Sequence, residues 1–406
     1  MPKFPRRHLL VLIAMCGLIA SGVGLVTNVA GLFFTPVSEE LGILRGEVSL
    51  TLTICNICFA LGGMVAPKFM GMKSPRPLIL GATVALAAST AGLSFCHGIV
   101  AMYALCVVRG FAAGIVGMVF ATTVVSNWFV AAIGLVTSIV FGFSGIAGAV
   151  FSPIVSGIIQ SSGWRMGYLV LAVLHVVLSL PALLFVPSFR PEESGLAAYG
   201  AEEGTRTAAV EPTAKTAAAP LSMVLFAIVL GFSVIGSGTT SLPQHFSGMA
   251  ENFGLGAAVG ATMLSASMVA NTVGKIVLGA LVDRFGGRKS ILLYCCLVIV
   301  AILMFLFVRG PLAMVVAAVF YGLCYSIGTV GITMMTRDVF GVENYTRVYP
   351  TMSFGGNVAN AAFSSIIGFM YDFSGGYTLT LWVMLAMASV TAVLVVVGYG
   401  KAGKAA

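Results

Sequence analysis

Twelve apolar runs, each long enough to cross a bilayer, constrain this chain more than any other feature. They cover about residues 8–34, 48–67, 77–97, 100–126, 132–158, 167–187, 221–246, 256–281, 290–308, 311–336, 349–371 and 377–399. A spanning helix needs roughly 20 mostly apolar residues, so the expected fold class is an all-α membrane protein with twelve transmembrane helices. Composition agrees. Of 406 residues, 59% are hydrophobic and only 8% charged, whereas about 25% of a soluble chain is charged. A chain this poor in charge cannot cover its surface in water, and its solvent is mostly lipid.

The first run follows MPKFPRRH and continues without a charge to about Phe34. That is too long for the apolar core of a signal peptide, and an uncleaved first span is expected. The eight cysteines all fall in or beside apolar runs. Disulfide frameworks belong to short secreted chains. Cys55-Asn-Ile-Cys58 has the CxxC form but lies in mid-span, without the surroundings of a redox motif.

The runs fall into two sets of six. Between them, 188–220 is rich in Ala, Glu, Thr and Pro and reads as a flexible cytoplasmic linker. The expected domains are an N-terminal six-helix bundle (1–187), that linker, and a C-terminal six-helix bundle (221–406). With a cytoplasmic N-terminus, sixteen of the 21 lysines and arginines fall on the cytoplasmic side and only Arg45, Arg165 and Arg309 outside. Cytoplasmic loops are the ones enriched in Lys and Arg, so span count and orientation support each other. Both termini are then cytoplasmic, in a plasma (inner) membrane. The halves also match at an offset near 212 residues: 101–114 aligns with 313–326, and Glu40-Leu-Gly42 with Asn252-Phe-Gly254. Parallel six-span repeats suggest two bundles facing each other across a central cavity.

Gly279-Ala-Leu-Val-Asp283-Arg284-Phe-Gly286-Gly-Arg288-Lys289, between spans 8 and 9, resembles the loop signature of the major facilitator superfamily. Arg109 followed by Gly110 and Gly114 in span 4 is similar to a second family motif, and Gly163-Trp164-Arg165 to a third. The resemblance covers essentially the whole chain and implies two six-helix bundles in pseudo-two-fold arrangement, working as a secondary transporter. It implies a gating role for Gly279, Asp283, Arg284, Gly286 and Arg288, as a latch that breaks when the bundles rock. The equivalent first-half loop, APKFMGMKSPR, lacks the aspartate. A plain cytoplasmic anchor is the other reading of the cluster.

All 13 carboxylates map to loops, tails or span ends, leaving Arg109 and Lys275 as the formal charges deep in the membrane. Lys275 stands about 12 Å from Asp283 along the helix. A charge at the bilayer centre costs ~2.5–3.5 kcal/mol even on the lenient scale, and is kept only where it faces a cavity, a partner or a pathway. With no carboxylate inside to neutralise either, the simplest negative partner is the substrate, an anion bridging the two cations. Arg109 reads equally well as a structural residue holding neighbouring backbone, and Lys275 could instead snorkel towards the cytoplasm.

Asn28, Asn271 and Asn357 are candidate cavity-lining residues, Asn271 sharing the Lys275 face. Tyr321, the repeat counterpart of Arg109, could donate to a carboxylate. Within the superfamily the chain resembles the monocarboxylate transporter and oxalate/formate antiporter group. Lys275 falls where those proteins carry a span-8 arginine that binds carboxylate, but their second basic residue, in span 11 or span 1, has no match here.

The expected function is alternating-access transport of a small organic anion, a mono- or dicarboxylate, by antiport or proton-linked symport. Lys275, Arg109, Asn271, Asn28, Asn357 and Tyr321 are the expected substrate-binding residues. Efflux of amphipathic or cationic compounds on the same fold is the alternative, weakened by the lack of an acidic residue in the spans. No nucleotide loop, metal cluster or activated nucleophile points to an enzyme. The expected partners are the anion and the lipid bilayer, with no nucleic acid, metal or cofactor and a functional monomer.

Overall fold

The computed structural model describes residues 5–70, 72, 74–130, 133–200 and 222–405, without the side chains of 133–135, 138, 283, 342, 343, 346 and 403–405. The linker stretch 201–220 and the loop charges Lys3, Lys73, Arg206 and Lys215 lie outside the described residues.

The described residues form twelve helical segments at the expected spans; ten helices among them, one joining segments 5 and 6, are long and apolar enough to cross a membrane. Spans 1 to 4 are Arg6–Leu41, Arg45–Phe69, Arg76–Leu93 and Ile99–Trp128. Spans 5 and 6 run through Ile133–Phe185 and part at Gly163, whose φ of 80° breaks the helix. Spans 7 to 9 are Met223–Asn252, Ala257–Phe285 and Gly287–Phe307. Span 10, Pro311–Gly341, ends at Gly341 with φ 74°, span 11 follows over 342–374, and span 12 is Thr378–Ala405. A left-handed backbone is nearly free for glycine and costly for a residue with a Cβ, so two glycines place two of the turns.

Several spans are not plain α-helices. Span 1 passes through a π-helix, Ala20–Asn28, and a 3-10 turn, Ala30–Phe33. Span 4 is broken between Ile115 and Met118, and span 10 becomes a π-helix over Ile327–Gly331. Such irregular turns are frequent at functional sites.

The 212-residue repeat extends to these details. The 3-10 turn Ala30–Phe33 in span 1 recurs as Leu242–His245 in span 7. Gly42 and Gly254, 212 apart, have φ of 64° and 74°. The contacts between helices repeat as well. A Cβ on Gly110 would overlap the carbonyl of Cys55, and one on Gly114 that of Phe59, so these glycines let span 4 close onto span 2. At the counterpart positions, a Cβ on Gly322 would overlap the carbonyl of Ser267 in span 8. Small residues permit this close approach of backbones in lipid, which gives the glycines after Arg109 a packing reason.

The chain sorts into two compact units. One takes residues up to Val37 and from Ile54 through the first half; the other takes Ser38–Thr53 with the second half. The first has a core around Met15, Phe120, Trp128 and Phe129. The second has one around Phe232, Phe246, Phe305 and Tyr321. In the second unit, Asp372 of span 11 accepts the backbone N–H of Arg45 at 3.1 Å and of Gly46 at 2.7 Å. The Arg45 guanidinium lies 4.0 Å from the centre of the Tyr371 ring. Thr53 Oγ1 donates to the Ala361 carbonyl at 2.6 Å.

Candidate functional site

The two intramembrane cations have different surroundings. Arg109 is 4% exposed and its Nη2 donates to the Leu25 carbonyl, 3.4 Å away in the π-helix of span 1. Its Nε has no partner among the described residues. Tyr321, at the same repeat position, is fully buried between Phe246 and Phe305. Its hydroxyl donates to the Thr239 carbonyl at 2.8 Å, where the α-helix of span 7 ends. Each residue thus reaches from the fourth helix of its half to the irregular part of the first. Backbone groups there lack a regular helical partner, and a buried carbonyl left without one costs free energy.

The asparagines divide in the same way. Asn28 donates to the Ser144 carbonyl at 2.9 Å and ties span 1 to span 5. Asn357 is exposed, while the glycines before it face span 7, Gly355 against Leu230 and Gly356 against Ser233 and Ser237. Asn360 donates to Thr240 Oγ1, and Ser241 Oγ donates to its carbonyl at 2.7 Å. Two buried histidines are engaged too. His175 pairs with Ser21 Oγ at 2.9 Å, and His245 with the Ser364 carbonyl at 2.9 Å.

Lys275 and Asn271 stand apart from this pattern. Lys275 is half-buried in span 8, and among the described residues its ammonium has no hydrogen bond and no ion pair. Asn271, one turn earlier, is 5% exposed and its Oδ1 is without a partner. Tyr294 holds this stretch by donating to the Gly274 carbonyl at 2.8 Å. Span 10 crosses at the same level. A Cβ on Gly274 would lie 3.0 Å from Ser326 Oγ, and that hydroxyl is fully buried without a partner. An ammonium, an amide oxygen and a hydroxyl on adjoining helices can together hold an anion that carries hydrogen-bonding groups.

The loop after span 8 has local reasons for its glycines. Gly286 has φ 81° and starts span 9. A Cβ on Gly287 would overlap the Asp338 carboxylate and the Tyr399 hydroxyl, which donates to that carboxylate at 2.8 Å. Gly279, by contrast, has open space where a Cβ would stand. Arg284 and Arg288 are exposed and have no ion pair among the described residues, and the Asp283 side chain lies outside them.

Asp338, Tyr399, Asp372 and Ser326 were not singled out from the sequence. Comparing the halves at the 212 offset supplies the signal for Ser326. Asn271, Lys275 and Ser326 replace Phe59, Gly63 and Gly114 of the first half, so three polar groups stand where the other half is apolar or small.

The family model for the Major Facilitator Superfamily matches residues 14–248 and 228–403. The chain belongs to this superfamily, and it is an integral membrane transporter rather than an enzyme. Among solved structures, the nucleoside transporter NupG, crystallised as a point mutant, is similar with a TM-score of 0.68 and 14% identity. The match covers 97% of this chain and 99% of that one. A D-xylose-proton symporter is similar with a TM-score of 0.69 and 13% identity, covering 96% of each chain. A search of curated proteins gives no match. At these identities the two structures speak to the fold and leave the substrate open.

Proposed function

We propose that this protein is a secondary active transporter of a small organic anion, working by alternating access as an antiporter or proton-linked symporter, and that the anion is a monocarboxylate. One observation carries this reading. Of the two intramembrane cations, Lys275 has an ammonium with no described partner, whereas Arg109 already donates to the Leu25 carbonyl. An unpaired charge within the membrane is costly and is retained where it serves a pathway. The second cation, which a dicarboxylate would call for, has one guanidinium nitrogen engaged by backbone, and its repeat counterpart Tyr321 makes the equivalent contact without a charge.

In this reading Lys275 and Asn271 bind substrate, while Arg109, Tyr321 and Asn28 position spans 1 and 7. Asn357 lines the pathway. Gly279, Asp283, Arg284, Gly286 and Arg288 shape the cytoplasmic gate. Lysine offers a point charge rather than the planar fork of arginine, which suits one carboxylate held without strict bidentate geometry. The monocarboxylate transporter and oxalate/formate antiporter group is the subgroup proposed, with both termini on the cytoplasmic side of a plasma (inner) membrane and the monomer as the working unit.

A thermal-shift screen of purified protein tests the reading. Small mono- and dicarboxylates are compared with sugars, nucleosides and cationic drugs, on the wild type and on Lys275→Ala. Stabilisation by a monocarboxylate that the variant loses is the expected result. Stabilisation only by neutral or cationic compounds, unchanged in the variant, overturns it in favour of efflux or of another substrate class.

A further inference from the structure

Spans 2 and 4 bring two thiols together beside an orphaned nitrogen of Arg109. Cys55 Sγ donates across the seam to the Cys106 carbonyl at 3.4 Å. The Cys106 thiol and the Arg109 guanidinium both come within hydrogen-bonding reach of that sulfur. Cys96, by contrast, donates locally, to the Gly92 carbonyl four residues earlier. Cys55, Cys106 and Arg109 are each at most 4% exposed. Cys106 and Gly110 are one turn apart on one face of span 4, and a Cβ on Gly110 would stand 2.8 Å from the Cys55 Cα. The seam therefore brings the two backbones into contact where the thiols meet, which is what a disulfide requires.

Packing does not ask for this trio. At the 212 offset its members become Ser267, Ala318 and Tyr321, and the second half closes the same seam with Gly322 against Ser267. There Ser267 donates to the Leu264 carbonyl of its own helix, and Tyr321 spends its one hydroxyl hydrogen on the Thr239 carbonyl. The first half has two thiols and a cation in their place. Arg109 holds the Leu25 carbonyl through Nη2 alone. Its Nε is a buried donor without a partner among the described residues, and such a group calls for an explanation.

We propose that Cys55, Cys106 and Arg109 form a peroxide-reactive site, in which oxidation joins the two cysteines in a reversible disulfide that fastens span 2 to span 4. Cys55, the thiol within reach of the guanidinium, reacts first. Its Sγ attacks hydrogen peroxide, and an S–O bond forms as the O–O bond breaks. The departing oxygen takes the thiol proton and leaves as water, with Arg109 Nε donating to it while negative charge builds there. Cys55 is then a sulfenic acid. Cys106 Sγ displaces the sulfenic hydroxyl, which leaves with the Cys106 proton as a second water. The two sulfurs have lost two electrons, and one peroxide has become two waters. A dithiol reverses the bridge by exchange. The site does not depend on which substrate is carried.

Thiol counting on the full-length protein tests this. Reduced protein is exposed to hydrogen peroxide, denatured, and tagged with a maleimide that adds a countable mass. The eight cysteines should give eight tags before oxidation and two fewer after it, with all eight restored by dithiothreitol. Cys55→Ser and Cys106→Ala install the residues of the other half and keep the seam packed, and both should lose no tag on oxidation. Cys58→Ser should still lose two. Oxidised wild type should melt about 5 °C or more above the reduced protein, a shift absent in Cys106→Ala. Arg109→Lys keeps the charge but has no nitrogen at the Nε position, and should lose its tags ~10-fold or more slowly.

A full set of tags after peroxide overturns the site. A loss of two that persists in Cys106→Ala overturns the pair and makes Cys58 the partner of Cys55. Loss of two tags with no rise in melting temperature overturns the fastening of the spans, and an unchanged rate in Arg109→Lys removes Arg109 from the chemistry.

Discussion

Replacing Asp372 with asparagine should free the start of span 2. The carboxylate accepts the N–H groups of Arg45 and Gly46 at 3.1 and 2.7 Å, and these are amides that a helix cannot satisfy internally. Asparagine keeps one oxygen to accept from one amide but turns an NH2 group towards the other, and it removes the charge. A hydrogen bond to a charged group is worth about 1.5–3 kcal/mol, and a negative charge at a helix N-terminus about 0.3–1 kcal/mol. The loss is therefore about 2–4 kcal/mol of local stability, or a rise of about 30- to 700-fold in the open population at 1.4 kcal/mol per decade. Hydrogen exchange followed by mass spectrometry on a peptide covering Arg45 and Gly46 reads that population directly. Exchange there should accelerate by this factor in Asp372→Asn, with peptides of span 9 unchanged. Acceleration below about threefold would refute the anchoring role.

Three further outcomes follow from the packing. Tyr321→Phe leaves the Thr239 carbonyl without its donor and should destabilise by about 1–3 kcal/mol, lowering the unfolding temperature while ligand affinity stays within twofold of wild type. Gly110→Ala drives a methyl group into the Cys55 backbone. It should cost about 1–3 kcal/mol or more, seen as loss of the monodisperse peak in fluorescence-detected size exclusion, whereas Gly279→Ala enters open space and should elute like the wild type. Gly286→Ala puts a Cβ on a residue with φ 81° and should cost about 1–3 kcal/mol in thermal unfolding.

Much of the fold was legible because lipid imposes simple rules. Apolar length marked the spans, and the repeat offset near 212 reappears in the 3-10 turns and in the Gly42 and Gly254 backbone. The π-helices of spans 1 and 10 were not legible, since a shift of hydrogen bonding from the fourth to the fifth residue leaves apolar length and charge unchanged. For the same reason the sequence could not show what Arg109 touches: its partner is a carbonyl, which carries no side-chain signature. Asn271 and Lys275 stood out as polar residues among apolar ones. Ser326 did not, because a serine in a spanning helix usually pairs with its own backbone and carries little information. Asp338 and Asp372 were recognisable only as carboxylates at span ends, since their partners lie on helices distant in sequence.

In the proposed mechanism Lys275 supplies the single cation that a transported monocarboxylate needs. Counterflow of a radiolabelled monocarboxylate in proteoliposomes tests it most directly, with wild type, Lys275→Gln and Lys275→Arg compared at equal reconstituted protein and a dicarboxylate as competitor. Accumulation by the wild type is expected, with its loss in Lys275→Gln, partial recovery in Lys275→Arg, and weak competition by the dicarboxylate. Undiminished counterflow in Lys275→Gln would contradict it.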